Sequence, residues 1–78
     1  MSNIEKYNKC FMECLLIKEE DLAGLTYQSI SAWDSVGHMG LIAEIENEFE
    51  IMMETDDIID FSSYEKGKEI VAKYEVVL

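Results

Sequence analysis

The sequence predicts an all-α fold: a small up-and-down bundle of three main helices and one short helix, with a long loop between helices one and two. Three observations support this prediction. The chain has 78 residues and no proline, 49% of its residues are hydrophobic, and apolar residues recur at helical spacing in three segments. A chain of this length forms one small core, so we predict a single domain over residues 1–78.

The first helix is predicted over residues 3–17. Ser2 and Glu5 have the spacing of a capping box, in which each side chain bonds to the other residue's backbone N–H. Lys18 follows the predicted end, where a positive charge suits the negative pole of the helix. One apolar stripe is formed by Ile4, Tyr7, Phe11, Cys14 and Leu15.

Residues 18–33 show no sustained hydrophobic period and predict a long loop. Gly24 interrupts the segment, and loops of this length in compact domains are usually functional. We expect the loop to be held against the bundle by single apolar side chains: Leu22, Leu25, Tyr27, Ile30 and Trp33.

The second helix is predicted over residues 35–50. It carries two apolar strips, although a helix that buries one face needs only one. The core face consists of His38, Leu41, Ile42, Ile45 and Phe49. The second strip consists of Val36, Met39, Gly40 and Ala43, with Glu46 and Asn47 one turn further. A glycine in a helix interior costs about 1 kcal/mol relative to alanine. We therefore expect Gly37 and Gly40 to permit close approach of a partner or of the long loop.

The C-terminal third predicts a short helix and a closing helix. Thr55 is the expected cap of the short one, and Ser62 with Glu65 repeats the capping-box spacing before the last. The last helix would place its heptad positions at Tyr64, Gly67, Val71, Tyr74 and Leu78, with Ile70 and Val77 alongside. We expect core positions at Met52, Met53, Ile58, Ile59 and Phe61.

The charge distribution excludes some classes of partner. The net charge is −11, the chain has no arginine, and no lysine lies between Lys18 and Lys66, an interval with thirteen of the seventeen carboxylates. Such a field repels nucleic acid and anionic membranes and attracts basic proteins. We expect a monomer that binds neither nucleic acid nor membrane. The alternative, that the acid only keeps a small domain in solution, stays open.

Metal and disulfide chemistry are not indicated. Cys10 and Cys14, with His38 as the one histidine, are too few ligands for a structural zinc site, and the spacing of "METDDIID" does not fit a calcium loop. We expect no metal and two reduced thiols, as in a cytoplasmic protein. The N-terminal segment lacks the apolar run of a signal peptide, which also favours the cytoplasm.

The start of helix two allows two interpretations. Asp34 or Ser35 could simply cap the helix. Alternatively, the free N–H groups and positive pole at this end could favour a phosphate attached to Ser35. Asp34, Ser35 and His38 do not predict a hydrolytic triad, because the first two are adjacent and point apart, while His38 lies toward the core. We expect no catalytic residues, and a His38 that bonds to a loop carbonyl.

The segment "WDSVGHMGLIAEIENEF", residues 33–49, resembles the acyl carrier proteins, whose Asp-Ser-Leu-type motif carries a 4′-phosphopantetheine arm. The resemblance extends over nearly the whole chain in the order of its helices, its length and its acidity. It implies that Ser35 is the attachment site, that a phosphopantetheinyl transferase modifies it, and that Asp34 lies at the transferase contact. The arm would hold an acyl or related group as a thioester.

The resemblance also implies that partner enzymes with basic docking surfaces bind helix two. The docking residues would be Val36, Met39, Gly40, Ala43, Glu44, Glu46 and Asn47. Gly40 stands where a carboxylate is common in the family, so docking would depend more on the glutamates and the apolar strip. The form Trp-Asp-Ser-x-Gly-His is more similar to carriers of specialised pathways than to the fatty-acid carrier. The methionine and isoleucine cluster after helix two could line a cavity for the acyl chain.

An alternative function from another class stays open. A small acidic interaction module or inhibitor, without any prosthetic group, would have the same bundle and the same charge.

Overall fold

A computed structural model describes residues 1–78 and contains helices but no strands. The helices are α1 (Asn3–Leu15), α2 (Ser35–Phe49), α3 (Thr55–Asp60) and α4 (Tyr64–Ala72), and a short 3-10 helix, Glu19–Asp21, lies in the loop after α1. The predicted all-α bundle of three main helices and one short helix is confirmed. None of the helices combines the length and apolar character that crossing a bilayer requires.

Helix α1 begins as predicted and ends two residues early. Ser2 and Glu5 form the reciprocal capping box. Leu16 adopts a left-handed conformation with φ of 56°, and its N–H donates to the Met12 carbonyl, which terminates the helix. Lys18 therefore lies beyond the last turn, and its backbone N–H donates to the carboxylate of Asp21 instead.

The core is built around a cluster of aromatic rings. Phe11 is fully buried, and its ring centroid lies 5.0 Å from that of Tyr7, 5.6 Å from that of Trp33 and 5.3 Å from that of Tyr64. All three contacts are edge-to-face, an arrangement that aromatic quadrupoles favour. The central part of the predicted core face of α2 is also buried, at Leu41, Ile42 and Ile45.

The predicted caps of α3 and α4 are each wrong by one residue. Glu54, not Thr55, is the N-cap of α3, and it makes no side-chain cap bond. Ser63, not Ser62, caps α4 and accepts from the N–H of Lys66. The cap of α4 falls on Ser63 because an isolated backbone bridge between Thr26 and Ser63 holds Ser63 extended next to the long loop.

Two further expectations for the C-terminal third are corrected. Helix α4 ends at Ala72, so Tyr74, Val77 and Leu78 lie beyond it rather than on its heptad positions. In the predicted core cluster, Met53 and Phe61 are buried, but Met52 is 85% exposed and Ile59 is 71% exposed. The short helix is only six residues long, so it can turn one face inward and must leave the other in solvent.

Asp57 connects α3 to the segment after α4. It is the one buried charged residue, and its carboxylate accepts from the ammonium group of Lys73 and the hydroxyl of Tyr74. The Tyr74 hydroxyl in turn accepts from the N–H of Glu54, at the start of α3. Hydrogen bonds from Lys73 and Tyr74 lower the pKa of Asp57 below its ordinary value of 3.8.

This network predicts a pH-dependent contribution to stability. Because the folded-state pKa of Asp57 is lowered, its stabilisation is complete above pH 3.8 and is lost as the pH falls through the lowered value. We expect Asp57→Asn to reduce the free energy of unfolding at neutral pH, with a difference from wild type that shrinks in acid. Urea unfolding across the pH range measures this difference. Asp56→Asn, at an exposed neighbour, is the control and should show only a small difference at any pH. A deficit of Asp57→Asn that does not change with pH would contradict this account.

Candidate functional site

Ser35 is the first residue of α2 and is exposed. The cap is made by Asp34, whose Oδ1 accepts from the N–H of Gly37 over 2.8 Å. Of the two interpretations of this helix start, capping therefore applies to Asp34, and the hydroxyl of Ser35 is not used for it. The N–H groups of Ser35 and Val36 have no intrahelical partner, as at the start of any helix.

His38 is held by hydrogen bonds at both ring nitrogens. The indole N–H of Trp33 donates to Nδ1 over 2.9 Å, and Nε2 lies 2.8 Å from the carbonyl oxygen of Ile58. Because the indole can only donate, Nδ1 accepts and Nε2 carries the proton that it donates to Ile58. The expected bond to a carbonyl is present, although that carbonyl belongs to α3 and not to a loop. Neither nitrogen is free to take a proton from Ser35.

An open cavity of about 330 Å³ lies next to Ser35. Its wall on the α2 side includes His38 and Met39, and α3 contributes Ile58 and Ile59. The full lining is Tyr27, Ser35, His38, Met39, Ile58, Ile59, Phe61 and Ser62. The cavity thus borders both Ser35, the predicted attachment residue, and part of the predicted core cluster after α2, namely Ile58, Ile59 and Phe61.

Sequence reasoning did not place Tyr27 or Ser62 at this site. Their meeting depends on a backbone bond, from the N–H of Tyr27 to the carbonyl of Ser62 over 2.8 Å. Local periodicity contains no signal for such a bond, because it joins the long loop to the connection before α4.

The two glycines of α2 have different surroundings. A Cβ at Gly37 would lie 2.0 Å from the carbonyl oxygen of Ala32, so the long loop occupies the space that a side chain would need. A Cβ at Gly40 would meet nothing within 4 Å. Close approach of the loop therefore explains Gly37, whereas nothing within the chain requires a glycine at position 40.

The predicted docking strip lies largely in solvent. Val36 is 79% exposed and Met39 is 56% exposed, and Gly40, Ala43 and Asn47 are exposed as well. The two glutamates are half-buried, and Glu46 has an internal partner, since its carboxylate accepts from the N–H of Met53 over 2.8 Å. Glu46 therefore also holds the connection between α2 and α3. We call the exposed set Val36, Met39, Gly40, Ala43 and Asn47 the α2 strip.

The glutamates of α2 take part in no ion pair within the chain. The three ion pairs of the chain are Lys9–Glu13, Lys68–Glu65 and Lys73–Asp57, and none includes a residue of α2. The negative field of this face is therefore directed at solvent.

The two thiols, Cys10 and Cys14, belong to α1 and are unsuited to nucleophilic chemistry. Cys10 is buried, and burial followed by the charge of Glu44 raises its pKa to about 12. Burial likewise raises the pKa of Cys14, whose Sγ lies 3.8 Å from the carbonyl oxygen of Gly40. Both thiols are free and protonated at neutral pH, so they react slowly.

Comparison of the chain with family models, curated proteins and solved structures found no match. The features of the chain that bear on its function are Ser35, the neighbouring cavity and the α2 strip.

The surroundings of Gly37 and Gly40 predict that substitution by alanine changes the free energy of unfolding in opposite directions at the two positions. Gly40→Ala should raise the free energy of unfolding by about 1 kcal/mol, because alanine favours the helix and the site has room. Gly37→Ala should lower it by about 1–3 kcal/mol, because the added methyl overlaps the Ala32 carbonyl. Urea unfolding followed by circular dichroism measures both. Equal effects in the two variants would show that the loop does not press against Gly37.

Proposed function

We propose that this protein is a carrier, with no catalytic residues of its own, that holds an acyl or related group as a thioester on a 4′-phosphopantetheine arm attached to Ser35. One observation carries the proposal: the Ser35 hydroxyl is exposed at the first position of a fifteen-residue helix, while the adjacent Asp34 makes the cap bond. The resemblance of residues 33–49 to the acyl carrier proteins agrees with this position. The arm would supply a flexible thiol that the chain itself lacks.

The surroundings of Ser35 fit an attached phosphodiester. The free N–H groups of Ser35 and Val36 and the positive pole of α2 favour a negative charge at this end. The open cavity beside the hydroxyl leaves room for the attached group. A phosphate at this position would bury no charge, because Ser35 is exposed.

The α2 strip fits the docking of partner enzymes, among them the transferase that attaches the arm. Its apolar side chains supply contact area, and the open space at Gly40 allows a partner backbone to approach closely. Glu44 and the neighbouring unpaired carboxylates would steer basic docking surfaces toward it. Glu46 would contribute less, because Met53 already uses its carboxylate. Two free thiols agree with a cytoplasmic carrier.

Mass spectrometry tests the attachment directly. Incubated with coenzyme A, magnesium and a broad-specificity phosphopantetheinyl transferase, the protein should gain one phosphopantetheinyl group, and Ser35→Ala should gain none. Ser62→Ala is the matched control, because Ser62 is exposed and borders the same cavity, and it should be modified like wild type. The modified protein should also gain one fast-reacting thiol, that of the arm. This thiol can be told apart from Cys10, because burial keeps Cys10 protonated and slow to react.

Two outcomes would contradict the proposal. A wild-type protein that stays unmodified would favour the acidic interaction module without a prosthetic group. A Ser35→Ala protein that is still modified would place the arm on another serine. Circular dichroism of Ser35→Ala should show an intact fold, because the cap bond belongs to Asp34.

Asp34→Asn removes the charge of this residue but keeps a side chain that can make the cap bond. Asparagine caps helices about as well as aspartate, so the free energy of unfolding should change little. Modification should slow about tenfold or more, because a charge-assisted contact to the transferase, typically about 1.5–3 kcal/mol, is lost. The initial rate of phosphopantetheinylation is the measurement. Asp34→Ala should also lose about 0.5–2 kcal/mol of stability. An Asp34→Asn protein modified at the wild-type rate would exclude Asp34 from the transferase contact.

A further inference from the structure

The cavity beside Ser35 borders His38 and the buried ring of Phe61. On the side of the bundle it ends at His38 and Phe61, whose ring centroids lie 6.1 Å apart. Its volume of about 330 Å³ is at the lower end of the range for small-molecule pockets, about 300–1,000 Å³. A group at Ser35 therefore meets a shallow recess and not a tunnel into the core.

His38 closes that recess with two hydrogen bonds. It accepts from the fully buried Trp33 and donates to the Ile58 carbonyl, so the bonded series runs from the long loop through α2 to α3. We call this series the His38 latch. A chain that entered the bundle between α2 and α3 would have to displace it. The buried indole N–H would then lose its partner, which is costly in an apolar interior.

The interior behind the latch is filled. The Phe11 ring centroid lies 5.6 Å from that of Trp33 and 6.1 Å from that of Phe61. No cavity of the chain borders Trp33 or Phe11. Close-packed rings leave no space for an inserted chain unless they separate.

We propose that the carried acyl group stays outside the core whatever its length, because the His38 latch excludes a long acyl chain from the bundle. The inference depends on the proposed attachment of the arm to Ser35. Met39, Ile58 and Ile59 offer an apolar wall for a short group. Most of a long chain would stay in solvent, where a partner enzyme could reach it but the bundle would not protect it.

The test compares a butyryl with a decanoyl group. Each is loaded onto Ser35 from the corresponding acyl-coenzyme A by a broad-specificity transferase, and mass spectrometry confirms loading. Thioester cleavage by hydroxylamine should proceed within about twofold of the rate for the same acyl-pantetheine free in solution, for both groups. The single tryptophan gives one indole N–H resonance, which should lie at the same position in both loaded proteins.

A decanoyl thioester cleaved about tenfold more slowly than the free compound, with a shifted indole resonance, would show that the chain enters the bundle and would overturn the inference. Failure of loading would instead contradict the proposed function. The two failures are thus distinguishable by mass.

Two His38 variants test whether the latch is the barrier. His38→Gln retains one acceptor and one donor, so its decanoyl form should be cleaved like that of wild type. His38→Ala removes both bonds and opens space, so its decanoyl form should be cleaved more slowly than the free compound. If the decanoyl thioester of His38→Ala were cleaved as fast as that of wild type, the latch would not be the barrier to the chain. The wild-type comparison alone decides the first part of the proposal, even for a His38→Ala protein that does not fold.

Discussion

The hydrogen bond between Trp33 and His38 determines how the loop, α2 and α3 are arranged. Trp33 is fully buried and contributes the largest side chain of the core, and its indole N–H needs a partner there. His38 provides that partner from the first turns of α2 and transmits the constraint to the Ile58 carbonyl in α3. One buried polar group thus connects three segments, of which α3 has only six residues.

Periodicity and capping patterns predicted the elements that depend on local sequence. Helix α1, its capping box and the central core face of α2 follow from spacings within a few residues. The missed features depend on contacts between distant segments. The cap of α4 falls on Ser63 because Thr26 pairs with it, and Tyr27 reaches the cavity because its N–H bonds to Ser62. No local pattern encodes such pairs.

The lysines and most of the carboxylates lie in different segments of the chain. All six lysines lie in or next to α1, or in or just after α4, whereas the interval that contains α2 and α3 is acidic throughout. From α2 through α3, Asp57 alone pairs with a lysine, and it is also the one buried charge. Most of the other carboxylates there contribute to a surface field, whereas Asp34 caps α2 and Glu46 accepts from the N–H of Met53.

The register of α2 decides whether Ser35 can have any function beyond structure. Asp34 and Ser35 are both good caps, and a helix that began one residue later would use the Ser35 hydroxyl to bind a backbone N–H. Two contacts fix the register on either side of this pair. Trp33 is buried immediately before it, and Gly37, two residues after Ser35, lies against the Ala32 carbonyl, where no side chain fits. The same packing that makes Gly37 necessary therefore assigns the cap to Asp34 and leaves the neighbouring hydroxyl exposed and unbonded at the positive end of the helix.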